Sequence, residues 1–200
     1  MPIETAPPAP GPRIPGITPR TRVVVLVGNP RPSSRTAAAG TRLGRHLADA
    51  LTESGQNAAE VIQIDLADLA PELLAPEHPR VDEALRTAAT ADVLVVATPV
   101  HKASVPGLLK LFLDQYGPRG LRDVTTVTLL VPGDAAHTLV GDVHLRPVLV
   151  ELGAVLPAAT LVVPAPALAD LEAMLQTWWD GAQVAVLRAA GAAPDAGADQ

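Results

Sequence analysis

VVVLVGNPRPSSRT, residues 23–36, sets five apolar, mostly β-branched residues against a Gly-Asn-Pro turn, two arginines and a run of hydroxyls, with an Ala-rich helix start behind them. A β-branched run of this kind suits a buried, pleated strand. Working outward, comparable runs recur at 61–66, 93–97, 124–131 and 161–163, and longer amphipathic stretches at 36–54, 80–90, 107–116, 135–152 and 168–188 follow them. The alternation predicts an α/β fold, a five-stranded parallel sheet with helices on both faces. The first, third and fourth runs are apolar almost throughout, as central strands covered on both faces must be. The second alternates, which puts it nearer an edge. In such an open sheet a ligand sits beyond the carboxyl ends of the strands, where the strand order reverses. The loops after strands one, three and four are therefore the ones to read.

Two hundred residues with 48% hydrophobic content suit one domain with a sizeable core, expected over 21–190. Residues 1–20 carry seven prolines, from Pro2 to Pro19, and read as an extended arm; 191–200, rich in Ala, Gly and Asp, read as a loose tail. A net charge of −6 argues against a nucleic-acid surface, which needs clustered Lys and Arg. Cysteine is absent, so disulfides and thiolate chemistry are excluded. The apolar runs are too short to span a membrane and 1–20 lacks the pattern of a secretory signal, so a cytoplasmic protein is expected. The five histidines show no metal-ligand spacing, and no metal is expected.

The loop at 28–36 fits neither common nucleotide fingerprint. It lacks both the glycine spacing of a dinucleotide-binding turn and the Gly-Lys-Ser/Thr ending of a P-loop. It offers Asn29, Arg31, Ser33, Ser34, Arg35 and Thr36 instead. Free N–H groups at a helix start, three hydroxyls and two guanidiniums suit a phosphate monoester of about two negative charges. Ser and Thr also precede many helices merely to cap them, and the loop alone leaves both readings open.

After the third strand comes Pro99-Val100-His101-Lys102-Ala103-Ser104-Val105-Pro106-Gly107, leading into a helix. Together, GNPRPSSRT and ATPVHKASVPGLLKLFLD resemble the two signature loops of the NAD(P)H-dependent FMN reductase family, a flavodoxin-like family. A third stretch, PGDAAHTLVGDVHLRPVL at 132–149, is similar to the subgroup that supplies reduced flavin to alkanesulfonate monooxygenases. The resemblance covers roughly 22–163, in order. It implies that Asn29 to Thr36 hold the FMN phosphate, and that backbone around Pro99, Val100, His101, Lys102, Ala103 and Ser104 meets the polar edge of the isoalloxazine ring, with Gly133 and Asp134 beside it. Lys102 near the ring edge favours an anionic reduced flavin. Pro99 and Pro106 hold the loop in fixed conformations, and Gly107 is expected to allow close backbone approach at a bend. Two departures stand out. His101 replaces the family's usual Tyr, and Pro132-Gly133 replaces a Gly-Gly pair, which removes one backbone donor and weakens binding.

Pro147 lies inside the stretch 135–152 and costs on the order of 3 kcal/mol in a regular helix. A π-bulge is the device expected to absorb it. The subgroup resemblance puts His144 at an inserted residue that widens a turn at a tetramer interface. Asp65, Asp82 and Glu83 are expected to be solvated charges, and Trp178 and Trp179 to pack. A serine-hydrolase elbow is absent around Ser33, Ser34 and Ser104.

Aromatics make up 2% of the chain, and none lies in 99–107 or 132–138, so an aromatic clamp on the flavin is missing. That openness favours a reductase that passes hydride from NADPH or NADH to exchangeable FMN and hands reduced FMN to a monooxygenase, with no catalytic side chain assigned. A flavin-retaining quinone or azo reductase and a flavodoxin-type electron carrier are the alternatives. A homo-oligomer, dimer or tetramer, is implied by the resemblance.

Overall fold

The computed structural model describes residues 20–57 and 59–191. Five strands, β1 (Arg22–Val27), β2 (Glu60–Asp65), β3 (Val93–Pro99), β4 (Thr125–Val131) and β5 (Leu161–Val162), form one sheet in the order β2-β1-β3-β4-β5, parallel throughout. The helices are α1 (Arg35–Glu53), α2 (Pro79–Ala89), α3 (Gly107–Leu113), α4 (Arg146–Glu151) and α5 (Leu171–Ala189).

The two-residue period of a strand sorts the core into two halves. Val23, Val25 and Val27 of β1, with Val93, Val95 and Ala97 of β3, face Leu43 and Leu47 of α1 and Leu175 and Trp179 of α5. Val24, Leu26, Leu94 and Val96 face Val81 of α2, Phe112 of α3 and Leu149 of α4. Residues 23–27 are fully buried, which is why that run carries no polar side chain. β2 is an edge strand, and its mixed burial matches its alternating sequence.

α1 lies unusually close to the sheet because two of its residues have no side chain. A Cβ on Gly44 would stand 2.5 Å from Val25 Cγ2, and one on Gly40 would stand 2.9 Å from Ala97 Cβ. This close seat brings the start of α1 to the carboxyl ends of β1 and β3. The strand order reverses there: Val27 registers with Asp65 on one side and Ala97 on the other, and the Gly28 N–H donates to the Ala97 carbonyl at 2.8 Å.

Several boundaries differ from the sequence pattern. α3 stops at Leu113 in a turn, so 114–116 are not helical. α5 is preceded by a 3₁₀ segment, Ala165–Asp170. The single helix expected over 135–152 is three pieces: a 3₁₀ turn at Ala135–His137, a π turn at Gly141–Leu145, and α4. Of the expected arm and tail, all but Arg20 and Gly191 lie outside the described residues.

Candidate functional site at the carboxyl edge of the sheet

Register places the three loops side by side. β1 runs out at Val27 beside Ala97, and two residues further along β3 Pro99 pairs with Val131, the last residue of β4. Adjacent strands stand about 4.8 Å apart, so the loops at 28–36, 99–106 and 132–138 share one rim.

The first loop is braced from within. Asn29 is 9% exposed; its amide donates to Thr36 Oγ1 at 3.2 Å and its carbonyl oxygen accepts the Arg31 N–H at 3.0 Å. Thr36 is 2% exposed, so its hydroxyl faces Asn29 and not solvent. Ser34 caps α1, its hydroxyl accepting the Ala37 N–H at 3.1 Å, while keeping its own proton to donate. Capping therefore leaves Ser34 a hydroxyl proton to offer an anion. Arg35 and Thr36, in the first helical turn, have no carbonyl four residues back within the helix for their N–H groups to reach. Arg31, Ser33 and Arg35 are exposed around these donors, giving a cationic, donor-rich cradle at the positive end of a 19-residue helix.

Asp65, expected as a solvated charge, is part of this brace. It is half-buried, and its carboxylate accepts the N–H groups of Ala67 at 3.1 Å and of Ser33. Ser33 sits at φ +50°, a left-handed conformation unusual outside glycine. Burial pushes the Asp65 carboxyl above its ordinary value despite those two hydrogen bonds. Sequence reading missed this residue because its role depends on β2 pairing beside β1, which no local motif announces.

The second loop is a tight reversal. His101 N–H donates to the Ser104 carbonyl at 2.8 Å and Ser104 N–H returns to the His101 carbonyl at 3.1 Å, while Lys102 and Ala103 stand at φ +52° and +59°. Positive φ at both central positions is the type I′ pattern, normally filled by Asn and Gly. His101, Lys102 and Ala103 form its exposed tip, and Pro99, Val100 and Ser104 are half-buried at its base. Gly107 does begin α3, but a Cβ there would meet nothing within 4 Å, so the expected close approach is not made.

The third loop leaves β4 through buried Pro132 into exposed Gly133, whose absent Cβ likewise points into open space. Pro132 cannot donate, but its carbonyl accepts the Ala165 N–H at 2.7 Å and ties this loop to the segment leading into α5. Asp134 caps the following turn through Ala136 N–H at 2.8 Å.

The π turn expected from Pro147 is present. Arg146 N–H reaches back five residues to the Gly141 carbonyl, and Pro147 then falls in the first turn of α4, where a missing donor costs nothing. A polar chain pins the turn: Thr128 donates to Thr160 and Thr160 to Asp142, each at 2.9 Å, and Arg146 lies 3.6 Å from Asp142. His144 is exposed on its outer side. Trp179 is buried against His46, ring centres 5.1 Å apart, and the Trp178 indole donates to the Ala159 carbonyl, so both pack as expected.

A doubly wound parallel sheet in the order 2-1-3-4-5, with a cationic, donor-rich loop at its switch point, defines a flavodoxin-like α/β protein. Within that class, the sequence model of NADPH-dependent FMN reductases matches residues 21–166, and the chain belongs to that family. It is 37% identical over 138 residues to FMN reductase (NADPH) of Escherichia coli K12, covering 66% of this chain and 68% of that one. It is 36% identical over 131 residues to the NADH-dependent FMN reductase SfnF of Pseudomonas fluorescens, covering 63% and 67%. Among solved structures, the apo form of the NADH:FMN oxidoreductase EMOB is similar, with 28% identity, a TM-score of 0.70, and coverage of 88% and 92%. An oxidoreductase from Corynebacterium diphtheriae aligns with a TM-score of 0.73 at 27% identity, covering 86% and 96%.

Proposed function

We propose that this chain reduces FMN with a reduced nicotinamide and releases the reduced flavin to a separate monooxygenase. The observation that carries this reading is the meeting of an exposed cationic cradle with two ring-side loops that lack any aromatic clamp. The cradle fits the phosphate of FMN: Arg31 and Arg35 supply charge, Ser33 and Ser34 supply hydroxyl donors, and the first turn of α1 supplies N–H groups. Asn29, Thr36 and Asp65 keep that cradle in shape. Backbone of Pro99, Val100, His101, Lys102, Ala103 and Ser104 lies along one side of the ring position, and Gly133 and Asp134 along another. A flavin held there would accept hydride at N5 from the nicotinamide, with the protein supplying alignment and electrostatics. Lys102 at the loop tip favours negative charge on the ring edge.

Release in place of retention follows from the open rim and from Pro132, which withholds one backbone donor. The relatives named for FMN reduction support the activity, one named for NADPH and the other for NADH. A second copy of the chain is expected to pack on the π turn, where His144 stands exposed.

The test is to titrate free FMN into purified protein with NADPH or NADH while following nicotinamide absorbance. Saturable oxidation dependent on added FMN, from a colourless preparation, is the expected result. A yellow protein that turns over only with an added quinone or azo compound would overturn release, and absence of nicotinamide oxidation would leave an electron carrier.

A further inference from the structure

A groove of about 400 Å³ runs between α1 and the segment leading into α5, separate from the ring-side loops. Arg35, Ala38 and Arg42 form one wall; their spacing of three and four residues puts them on one face of α1. Leu168, Leu171 and Glu172 form the other. The groove is thus apolar along its length, through the two leucines and the alanine, with guanidiniums along one side. Arg42 Nε is hydrogen-bonded to Glu172 across it, and both side chains are more than half exposed. This pair is the one charge contact that bridges the groove among the described ion pairs.

The groove is also connected to the flavin rim. Arg35, the first residue of α1, lines the groove, and the 3₁₀ segment Ala165–Asp170, which supplies Leu168 to its outer wall, begins at the residue whose N–H bonds the Pro132 carbonyl in the third loop. From there the 3₁₀ segment Ala165–Asp170 rises about 2 Å per residue toward Glu172. A molecule with one end at the ring can therefore lay its other end past Arg35 and against Arg42. A dinucleotide has that form: an aromatic base that suits an apolar wall and, in NADPH alone, a 2′-phosphate that suits guanidiniums.

We propose that this groove takes the adenosine end of the nicotinamide substrate, that Arg42 binds the 2′-phosphate of NADPH, and that Glu172 sets the choice between NADPH and NADH by competing for Arg42. The inference rests on the flavin-reductase reading. A dianionic phosphate can offer Arg42 more than one carboxylate can, so NADPH displaces Glu172, at a cost that NADH does not meet. Glu172 is thereby a brake on NADPH and leaves NADH untouched.

The experiment uses the full chain with Arg42→Ala and Glu172→Gln, neither residue belonging to the FMN cradle. Steady-state kinetics are run with each nicotinamide at saturating FMN. In parallel, calorimetric titration with 2′,5′-ADP and with 5′-AMP reads the groove without flavin chemistry. Arg42→Ala is expected to raise KM for NADPH about tenfold and to weaken 2′,5′-ADP similarly, with NADH and 5′-AMP changed less than twofold. Glu172→Gln is expected to lower KM for NADPH several-fold and to tighten 2′,5′-ADP. Equal effects on the two nicotinamides, or 2′,5′-ADP binding no better than 5′-AMP to the unaltered chain, would overturn the assignment. A chain that binds 2′,5′-ADP through Arg42 yet oxidises neither nicotinamide would sink the function reading while upholding the groove.

Discussion

Asp65 shows how one side chain can matter to a site it does not line. Its carboxylate holds Ser33 by the backbone, yet burial keeps its pKa above the ordinary 3.8, with the charge of Asp68 adding in the same direction. A raised carboxyl favours the protonated form in the folded chain. Its stabilising contribution is thus complete below 3.8 and is lost as pH rises through the raised value. Asp65→Asn is therefore expected to melt higher than the unaltered chain at neutral pH, with the gap closing as pH falls, checked by thermal unfolding from about pH 3 to 8. The same substitution removes a negative charge beside the phosphate cradle and should lower KM for FMN. An unaltered chain that melts higher at every pH would mean that the two N–H bonds outweigh burial. At the tip of the second loop, Ala103 stands at φ +59°, where a Cβ costs about 1–2 kcal/mol. Ala103→Gly should stabilise the fold by roughly 0.5–1 kcal/mol in denaturant titration, while a looser turn raises KM for FMN. Neither feature was legible in the sequence. Lys-Ala carries no type I′ signature, and the partner of Asp65 is set by strand order.

Among the elements, the strands were legible because buried parallel strands demand β-branched apolar runs, and β2 betrayed its edge position by alternating. The stretch 135–152 was only partly so. Pro147 announced an interruption, but where it falls is decided by Thr160, which stands before β5 and far from the π turn in sequence. A Cβ on Gly141 would lie 2.7 Å from Thr160 Cγ2 and 2.8 Å from its hydroxyl, so only glycine lets the π turn dock there. Gly141→Ala must push the turn off Thr160 and break its bond to Asp142. The expected loss is about 1–3 kcal/mol of unfolding free energy, and the amide exchange of 141–146 should rise with it. A loss of stability without faster exchange in that segment would place the strain elsewhere. The contact between α1 and α5 has its own pH signature. His46 Nε2 is buried without a hydrogen-bond partner beside Trp179, and burial, with the charge of Arg42, lowers its pKa from 6.5 against the opposing pull of Glu172, Asp49 and Glu53. Its contribution is present above 6.5 and is lost as pH falls toward the lowered value, since the unfolded chain takes up the proton first. His46→Leu should flatten the fall in melting temperature between about pH 6.5 and 5 and leave the neutral-pH slope unchanged.

At the scale of the whole molecule, the two sheet faces end in different surfaces. The α1–α5 face closes over its core with Trp179 inside but leaves Val184 of α5 exposed by 51%, whereas the segment with the π turn leaves Leu139, Val143 and Val150 exposed by 68%, 59% and 60%. Single exposed apolar residues are ordinary. Three within the segment 139–150 are less so, and Leu139 and Val143 stand one turn apart, joined by the Val143 N–H bond to the Leu139 carbonyl. Asp142 beside them is matched internally, accepting from Thr160 and standing beside Arg146, while exposed Glu151 follows Val150 at the far end. The same segment follows directly on Gly133 and Asp134, so a partner packed on the π turn is expected to order that loop as well. Val143→Asp places a charge among these three residues without touching the cradle, the type I′ turn or the buried chain from Thr128 to Asp142. The expected outcome is a lower mass in analytical ultracentrifugation with a circular dichroism spectrum like that of the unaltered chain, and a raised KM for FMN with kcat less affected. An unchanged mass would place the interface elsewhere, and a lower mass with unchanged KM would separate assembly from flavin binding.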